Sequence, residues 1–264
     1  MCYNCIDTIE STLQNVLKQT YSNVEYIVID GNSTDGTREV IDRYADRLAY
    51  SVSEPDKGIY DAMNKGISKA TGEWIIFRNA GDYFFSHTTL SDVFTGYEDK
   101  GEALIVGGMR CFSREGFRDA FYQPASDDVW QQAHLPHPAT FIRTKIQKSH
   151  LYATKYRIAS DYRFFQQLRL EGMEVAYYKG LVTLFDNEMG ISSTRLALSW
   201  KELLLIREEL GAPREVRSET RKRYWHIRLL QPITRLLNHF LWYRNRHQPA
   251  DWVEQPLSLT LKHI

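Results

Sequence analysis

Three stretches decide the fold: VEYIVIDGNSTDGT at 24–37, SEPDKGIYDAMNKG at 53–66 and GEWIIFRNAGDYF at 72–84. In each, a polar loop follows an apolar, strand-like run. The first run, VEYIVID, is nearly continuous in apolar character, as a parallel strand covered on both faces should be. Strands alternating with helical segments of this length indicate βαβ units and a mostly parallel sheet. The loops after successive strands then line one edge of an open α/β sheet, where such sheets bind ligands. Acidic groups at that edge, with Asp82 a lone carboxylate after the third strand, suit a metal-held nucleotide diphosphate.

Working outward, residues 6–19 read as a helix with Ile9, Leu13, Val16 and Leu17 at helical spacing. The turn Asn32-Ser33-Thr34-Asp35-Gly36 supplies cap residues for a helix at about 36–47. A short strand near 49–53 precedes a helix at about 59–70, which ends near Gly72, and GEWIIFRN is the next strand. Residues 88–98 read as helix and 103–109 as strand. Two aromatic-rich pieces, GFRDAFY and PATFIR, are expected as strands crossing the sheet edge. Residues 159–171 form an amphipathic helix with Tyr162, Phe164, Phe165 and Leu168 inward, and VAYYKGLVTLF supplies one or two more strands. After about residue 194 the character changes to helices rich in Leu, Trp and Arg.

The chain has 264 residues, 43% hydrophobic and 25% charged, with Lys+Arg and Asp+Glu equal at 33 each. That balance gives no reason to expect a nucleic-acid partner. Cys2, Cys5 and Cys111 make no disulfide framework, which fits a reducing cytoplasm, and no second ligand pair follows Cys2 and Cys5 at zinc spacing. No run is long and apolar enough to span a bilayer, and the N-terminus lacks the pattern of a secretory signal. Met1 stands almost on Tyr3-Asn4, where an α/β nucleotide-binding domain normally opens with a buried strand. That central strand is therefore expected to be missing, to the detriment of stability and of the base pocket.

The motifs resemble those of family 2 glycosyltransferases of the GT-A fold, nucleotide-sugar users that build bacterial surface polysaccharides. The resemblance covers about residues 3–193 and rests on four motifs in the right order. It implies a Rossmann-like, mostly parallel central sheet flanked by helices over 1–193, with a helical, basic extension over 194–264. Tyr3-Asn4 matches the end of the family's Thr-Tyr-Asn-like motif. Where the family often has Asp-Asp-Gly-Ser, this chain reads Asp30-Gly31-Asn32-Ser33, so Asp30 takes the place of the residue that accepts a hydrogen bond from the base. Asp56 would contact base or ribose. In Ala62-Met63-Asn64-Lys65-Gly66, Asn64 keeps the family's Asn, but Met63 replaces an Arg, so a cationic contact to the diphosphate is either lost or supplied by Lys57. Asn79-Ala80-Gly81-Asp82 occupies the metal motif with Asp82 alone retained, which implies Mn²⁺ or Mg²⁺ completed by diphosphate and water oxygens. The family's general base stands at a helix start about 80 residues further on, and Asp161 lies 79 residues beyond Asp82. An Asp at that point would also serve as a routine cap, which is compatible with Asp161 being the candidate base. His137 matches a family His before an apolar strand and is a candidate contact to acceptor or phosphate.

The resemblance implies an inverting transfer of a sugar from a nucleotide donor, expected to be UDP-linked, to a lipid-linked or polysaccharide acceptor. The alternative is a non-catalytic nucleotide-sugar-binding or assembly protein of the same fold. A nucleotidyltransferase would need a Gly-rich basic loop near the N-terminus, and none is visible. From 217 to 246 there are eight Lys or Arg against one Glu. Arg221, Arg228 and Arg235 share one helical stripe, while Ile227, Leu230, Ile233, Leu237, Phe240 and Leu241 lie mainly on another, with Trp225, Trp242 and Tyr243 at the margins. Pro232 is expected to begin a second helix or kink one. Such a segment suits the inner face of the cytoplasmic membrane, which makes the expected location cytoplasmic and peripheral. The rival expectation is a helix that packs its apolar face on the catalytic domain or on a second subunit.

Overall fold

The computed structural model of the protein describes residues 1–113, 116–122, 128–130, 134–186 and 195–245, with 231–245 as helix backbone alone. Helix α1 (Ile6–Leu17) buries Ile9, Leu13 and Val16, one face at the spacing that the sequence gives. Strand β1 (Ile27–Asp30) leads through α2 (Thr37–Asp42) to β2 (Tyr50–Ser53), and β1 pairs with β2 in parallel from Ile27 opposite Tyr50 to Asp30 opposite Ser53. The expected helix at 36–47 ends at Asp42 because Arg43 and Tyr44 donate to the carbonyls three residues back, tightening the chain into a 3-10 turn at Ala45–Arg47. Helix α3 (Ile59–Lys69) follows.

The remaining strands are β3 (Trp74–Ile75), β4 (Tyr83–Phe84), β5 (Leu104–Ser113), β6 (Gly116–Ala120), β7 (Thr140–Arg143) and β8 (Val175–Asp186). They form one sheet in the order β3-β7-β5-β8-β4, with β6 paired to β5. Helices α4 (Thr89–Phe94), α5 (Thr144–Ser149) and α6 (Ser160–Leu170) complete this part. The α/β class and the flanking helices are as expected, but the pairing is mixed. β1–β2 and β5–β8 are parallel, whereas β3–β7, β5–β7, β4–β8 and β5–β6 are antiparallel. Of PATFIR, expected at the edge, Thr140–Arg143 enter as β7 between β3 and β5 and are buried at every position. GEWIIFRN forms a ladder only at Trp74 and Ile75, opposite Arg143 and Ile142.

Between β1 and the 78–80 segment lie Met1 and Cys2. Cys2 N–H donates to Ile29 O (3.0 Å) and Gly31 N–H to Cys2 O (2.9 Å). On the other side Ala80 N–H donates to Met1 O (3.1 Å) and the Met1 amine to Arg78 O (2.9 Å). Two residues thus hold the place of the expected central strand, and the ladder continues no further. The C-terminal helices α7 (Leu196–Glu209) and α8 (Arg214–Asn245) pack on each other, and α7 meets α6 through a core of Tyr156, Ala159, Tyr162, Leu203 and Ile206. Helix α8 runs through Pro232 as one element; no second helix begins there, although Pro232 brings no N–H of its own.

Candidate active site

The loop after β1 is built around Asp30, which is 1% exposed. Ser33 donates through its N–H (3.0 Å) and its hydroxyl (2.5 Å), Ser53 donates from the end of β2 (2.5 Å), and the Cys2 thiol faces Oδ1 at 3.7 Å. A carboxylate has about four lone-pair sites, so these contacts fill them, and the long thiol contact is the weakest. Asn4, at φ 46°, joins the same knot: its N–H donates to Ser33 Oγ (2.8 Å) and its Oδ1 accepts from Thr34 N–H (2.9 Å). Asp35 accepts from the first amides of α1 and α2, Ile6 (3.0 Å) and Thr37 (3.0 Å), so one carboxylate serves two helix starts.

Beside this knot Tyr3 and Asp56 come together over Gly31. Tyr3 is 63% exposed, and a Cβ added at Gly31 would meet Asp56 Oδ2 at 2.6 Å and the Tyr3 ring at 3.3 Å. Gly31 therefore lets an aromatic face and a carboxylate converge where any side chain would separate them. Asp56 Oδ1 accepts from Gly58 N–H (2.8 Å), and Lys57 is exposed beside it, its N–H on Asp61. Lys65, with its ammonium on Glu54 (2.8 Å) and Pro55 O (2.8 Å), is a surface charge in a local pair.

Asp82 closes the turn after β3 and is 8% exposed, with Oδ2 accepting from Asn79 N–H (3.0 Å). Burial pushes its carboxyl up, against the opposing pull of Arg78 and the Asn79 N–H. Gly81 sits at φ 94°, a backbone state that favours glycine, which is a reason why no acidic residue stands there. Asn79 Oδ1 is buried without a hydrogen-bond partner. Among the described residues no three His, Cys, Asp or Glu side chains gather as a metal cluster. The donor set is one carboxylate and one amide oxygen, which fits a hard cation that takes its other oxygens from diphosphate and water.

Asp161 stands in the first turn of α6, yet no side chain caps that helix. Its Oδ1 instead accepts from the buried Tyr60 hydroxyl of α3 (2.8 Å), which also lies 2.6 Å from Ile158 O. The loop that leads into α6 is held by Glu202 of α7, which is 5% exposed. Its carboxylate accepts from the N–H groups of Arg157 (2.7 Å), Ile158 (2.8 Å) and Ala159 (3.0 Å). Sequence reading missed both Tyr60 and Glu202. The available signal for Glu202 was an acidic residue on the same helical face as Leu203 and Ile206, where a buried charge must be paired.

His137 is buried just ahead of β7. Burial holds its imidazole below the ordinary value against the pull of Asp161 and Asp82, so the ring is neutral at pH 7. It stacks on Phe77 (5.0 Å between centroids) and is 2.8 Å from the Tyr152 hydroxyl. Asn64 uses its amide on the backbone of the same Tyr152, donating to O (2.9 Å) and accepting from N–H (2.9 Å). Met63 is buried in the core and offers no cation. In the tail, Arg221 pairs with Glu208 (2.7 Å), Arg228 reaches the Tyr224 hydroxyl (2.7 Å), and Trp225 and Leu229 are exposed. The side chains of Arg235, Ile233, Leu237, Phe240, Leu241, Trp242 and Tyr243 lie outside the described residues.

Residues 1–164 match the family model for glycosyl transferase family 2, and the chain belongs to that family. It is a glycosyltransferase of GT-A type. A PGL/p-HBAD biosynthesis glycosyltransferase from Mycobacterium bovis is 27% identical over 215 residues, covering 79% of this chain and 83% of that protein. Escherichia coli WfaP, a UDP-Glc:alpha-D-GlcNAc-diphosphoundecaprenol beta-1,3-glucosyltransferase, is 39% identical over 83 residues, 31% of this chain and 33% of WfaP. The solved structure of S. aureus TarS 1-349 with UDP superposes with a TM-score of 0.64 at 18% identity, covering 86% of this chain and 69% of that one. The mannosyltransferase PcManGT from Pyrobaculum calidifontis, solved with GDP-Man and Mn2+, gives 0.59 at 20% identity over 84% and 67%. No helix among the described residues is long and apolar enough to cross a membrane.

Proposed function

We propose that this protein is an inverting glycosyltransferase that moves a sugar from a UDP-linked donor to a lipid-linked saccharide or polysaccharide in bacterial surface-glycan synthesis. The observation that carries the reading is the seat of the Asp161 carboxylate on the Tyr60 hydroxyl (2.8 Å), in the buried aromatic cluster that Tyr60 shares with Tyr152 and His137. The base stacks on Tyr3 beside Asp56, and a base N–H replaces the Cys2 thiol on Asp30. Asn4 and Asn64 hold the loops that border the donor, and Lys57 meets the diphosphate. A divalent cation on Asp82 and Asn79 would neutralise charge growing on the leaving diphosphate. Asp161 takes the proton from the acceptor hydroxyl as its oxygen bonds to the anomeric carbon and the bond to diphosphate breaks on the opposite face. Tyr60 and Glu202 are positioning residues for that carboxylate, and His137 contacts the acceptor or its phosphate.

The relatives support the choice of donor and acceptor: WfaP is named for a UDP-glucose donor and a diphosphoundecaprenol acceptor, and TarS was solved with UDP. The exposed Trp225 and Leu229, with Lys222 and Arg228 close by on the helix, support a peripheral seat on an anionic membrane at the cytoplasmic face. The division into a catalytic part over 1–193 and a helical extension over 194–264 is part of the same proposal, with α7 clamping the Asp161 loop.

The test is single-turnover transfer from labelled UDP-sugars to a polyprenol-diphosphate saccharide, with product anomeric configuration read by NMR. Asp161→Asn is expected to keep UDP affinity and lose transfer about 100-fold or more. Transfer unaffected by Asp161→Asn, or retention of configuration, would refute the mechanism. UDP binding with no transfer by either protein would favour the non-catalytic reading.

A further inference from the structure

Cys2 and Cys5 stand on either side of the bend at Tyr3 and Asn4, with Asn4 at φ 46°, and their thiols hydrogen-bond each other. The two ends of this short turn are held differently. Cys2 is buried and pinned to β1 through its N–H on Ile29 O (3.0 Å) and its O on Gly31 N–H (2.9 Å). Its Sγ faces acceptors, Ile29 O at 3.6 Å and Asp30 Oδ1 at 3.7 Å, which favour the protonated thiol. Cys5 is half-buried and forms the N-cap of the twelve-residue α1. The Thr37 hydroxyl accepts from Cys5 N–H (2.9 Å) and donates to Cys5 Sγ at 3.9 Å.

These surroundings divide the roles. The contact with Cys2, the Thr37 hydroxyl and the Tyr3 amide all favour an ionised sulfur at Cys5. They outweigh its partial burial and the Asp35 carboxylate, so its thiol is held below the ordinary value. A helix start acts in the same direction. The contact with Cys5 and burial push the Cys2 thiol up, and the Asp30 charge adds to this. A readily ionised, partly exposed thiol beside a protonated partner suits a pair in which one sulfur attacks an oxidant and the other resolves it. Cys111 stands apart, on β5 in the other sheet.

We infer that Cys2 and Cys5 are a reversible dithiol that peroxide closes to a disulfide, and that the closed form weakens nucleotide binding; the second part rests on the function proposed above. The Cys5 thiolate attacks a peroxide oxygen, the O–O bond breaks, and Cys5 sulfenic acid and hydroxide form. The Cys2 sulfur then bonds to the sulfenic sulfur, whose hydroxyl leaves as water with the Cys2 proton. Two thiols are oxidised, one peroxide is reduced to two waters, and a thiol reductant reverses the bond by exchange. The closed ring contains Tyr3 and Asn4. Tyr3 offers its ring over Gly31, and Asn4 is tied to Ser33 and Thr34 beside Asp30. Because β1 fixes Cys2, drawing the sulfurs together displaces Cys5 and the two residues between, and Asp30 loses the thiol hydrogen that faces it.

The test treats the reduced, desalted full chain with a slight excess of hydrogen peroxide, alkylates the remaining thiols and maps the tryptic peptides. Residues 1–18 hold both cysteines and end at Lys18, so one peptide reports the pair. It is expected to be unalkylated and two hydrogens lighter, to recover with dithiothreitol, and to close while Cys111 stays alkylated. Cys5→Ser should leave Cys2 alkylated, and Cys2→Ser should stop Cys5 at a sulfenic acid that dimedone traps. By calorimetry the oxidised protein should bind UDP about fivefold or more weaker than the reduced one, a difference absent from Cys5→Ser treated alike. A doubly alkylated peptide, or pairing with Cys111 or with a second chain, would overturn the inference. So would a complete internal disulfide that leaves UDP affinity unchanged. The peptide map needs no nucleotide, so it decides the dithiol even where UDP binding, and the proposed function with it, fails.

Discussion

Replacing Glu202 with Ala removes a carboxylate that three backbone amides share. Arg157, Ile158 and Ala159 donate to it at 2.7, 2.8 and 3.0 Å, and the side chain is buried against α6. A buried donor left unsatisfied costs about 1–3 kcal/mol, and water entering the vacated space recovers part of it. At the lower end for each of three amides, the expected loss is about 3–4 kcal/mol. At about 2–4 °C per kcal/mol for a chain of this size, Tm falls by about 10 °C. Glu202→Gln keeps one acceptor oxygen but turns an NH₂ towards the amides, so its loss is intermediate. Catalysis should suffer as well, because Ile158 O also faces the Tyr60 hydroxyl that holds Asp161. A misplacement of about 1 Å can cost about 100-fold in rate. Urea unfolding gives the first quantity, and single-turnover transfer below the melting transition gives the second. A loss under about 1 kcal/mol with unchanged turnover would refute the idea that α7 clamps the Asp161 loop.

Three further outcomes follow from the same geometry. Tyr60→Phe deletes the 2.8 Å bond to Asp161, and is expected to lower kcat about tenfold with UDP affinity unchanged; equal losses in both would make Tyr60 structural only. Gly31→Ala sets a methyl 2.6 Å from Asp56 Oδ2, so UDP affinity should fall about tenfold by calorimetry while Tm barely moves; unchanged affinity would remove Asp56 from the nucleotide site. Hydrogen bonds from Lys155, Tyr156 and Arg163 outweigh partial burial and hold Glu209 down at about 2. Its folded value lies below the unfolded one, so its contribution to stability is present above about pH 4.5 and is lost as pH falls towards 2. The Tm difference between the native protein and Glu209→Gln should therefore be largest near pH 7 and shrink towards pH 3; a constant difference would contradict the pairing.

Local patterning carried much of this far. The buried face of α1, the inward aromatics of α6 and the loops holding Asp30, Asp56 and Asp82 were all legible, because each depends on residues close in sequence. Pairing was less legible. β7 enters between β3 and β5 after a long excursion, and nothing in PATFIR distinguishes an edge strand from one buried on both faces. Side-chain partnerships across long separations were not legible at all: Glu202 caps amides more than forty residues earlier, Asn64 grips Tyr152 across 88 positions, and Tyr60 reads as an ordinary core aromatic. Asp161 was legible as a carboxylate at a helix start, where cap and base are compatible roles. Its contact with the Tyr60 hydroxyl, and the absence of a side-chain cap bond on α6, were not legible.

The central claim is a metal-dependent nucleotide site closed by Asp82, and calorimetric titration of UDP with and without Mn²⁺ tests it most directly. The account predicts UDP binding that strengthens with Mn²⁺ in the native protein and loses that dependence in Asp82→Ala. UDP affinity that is the same with and without Mn²⁺, or equally metal-dependent in Asp82→Ala, would contradict it.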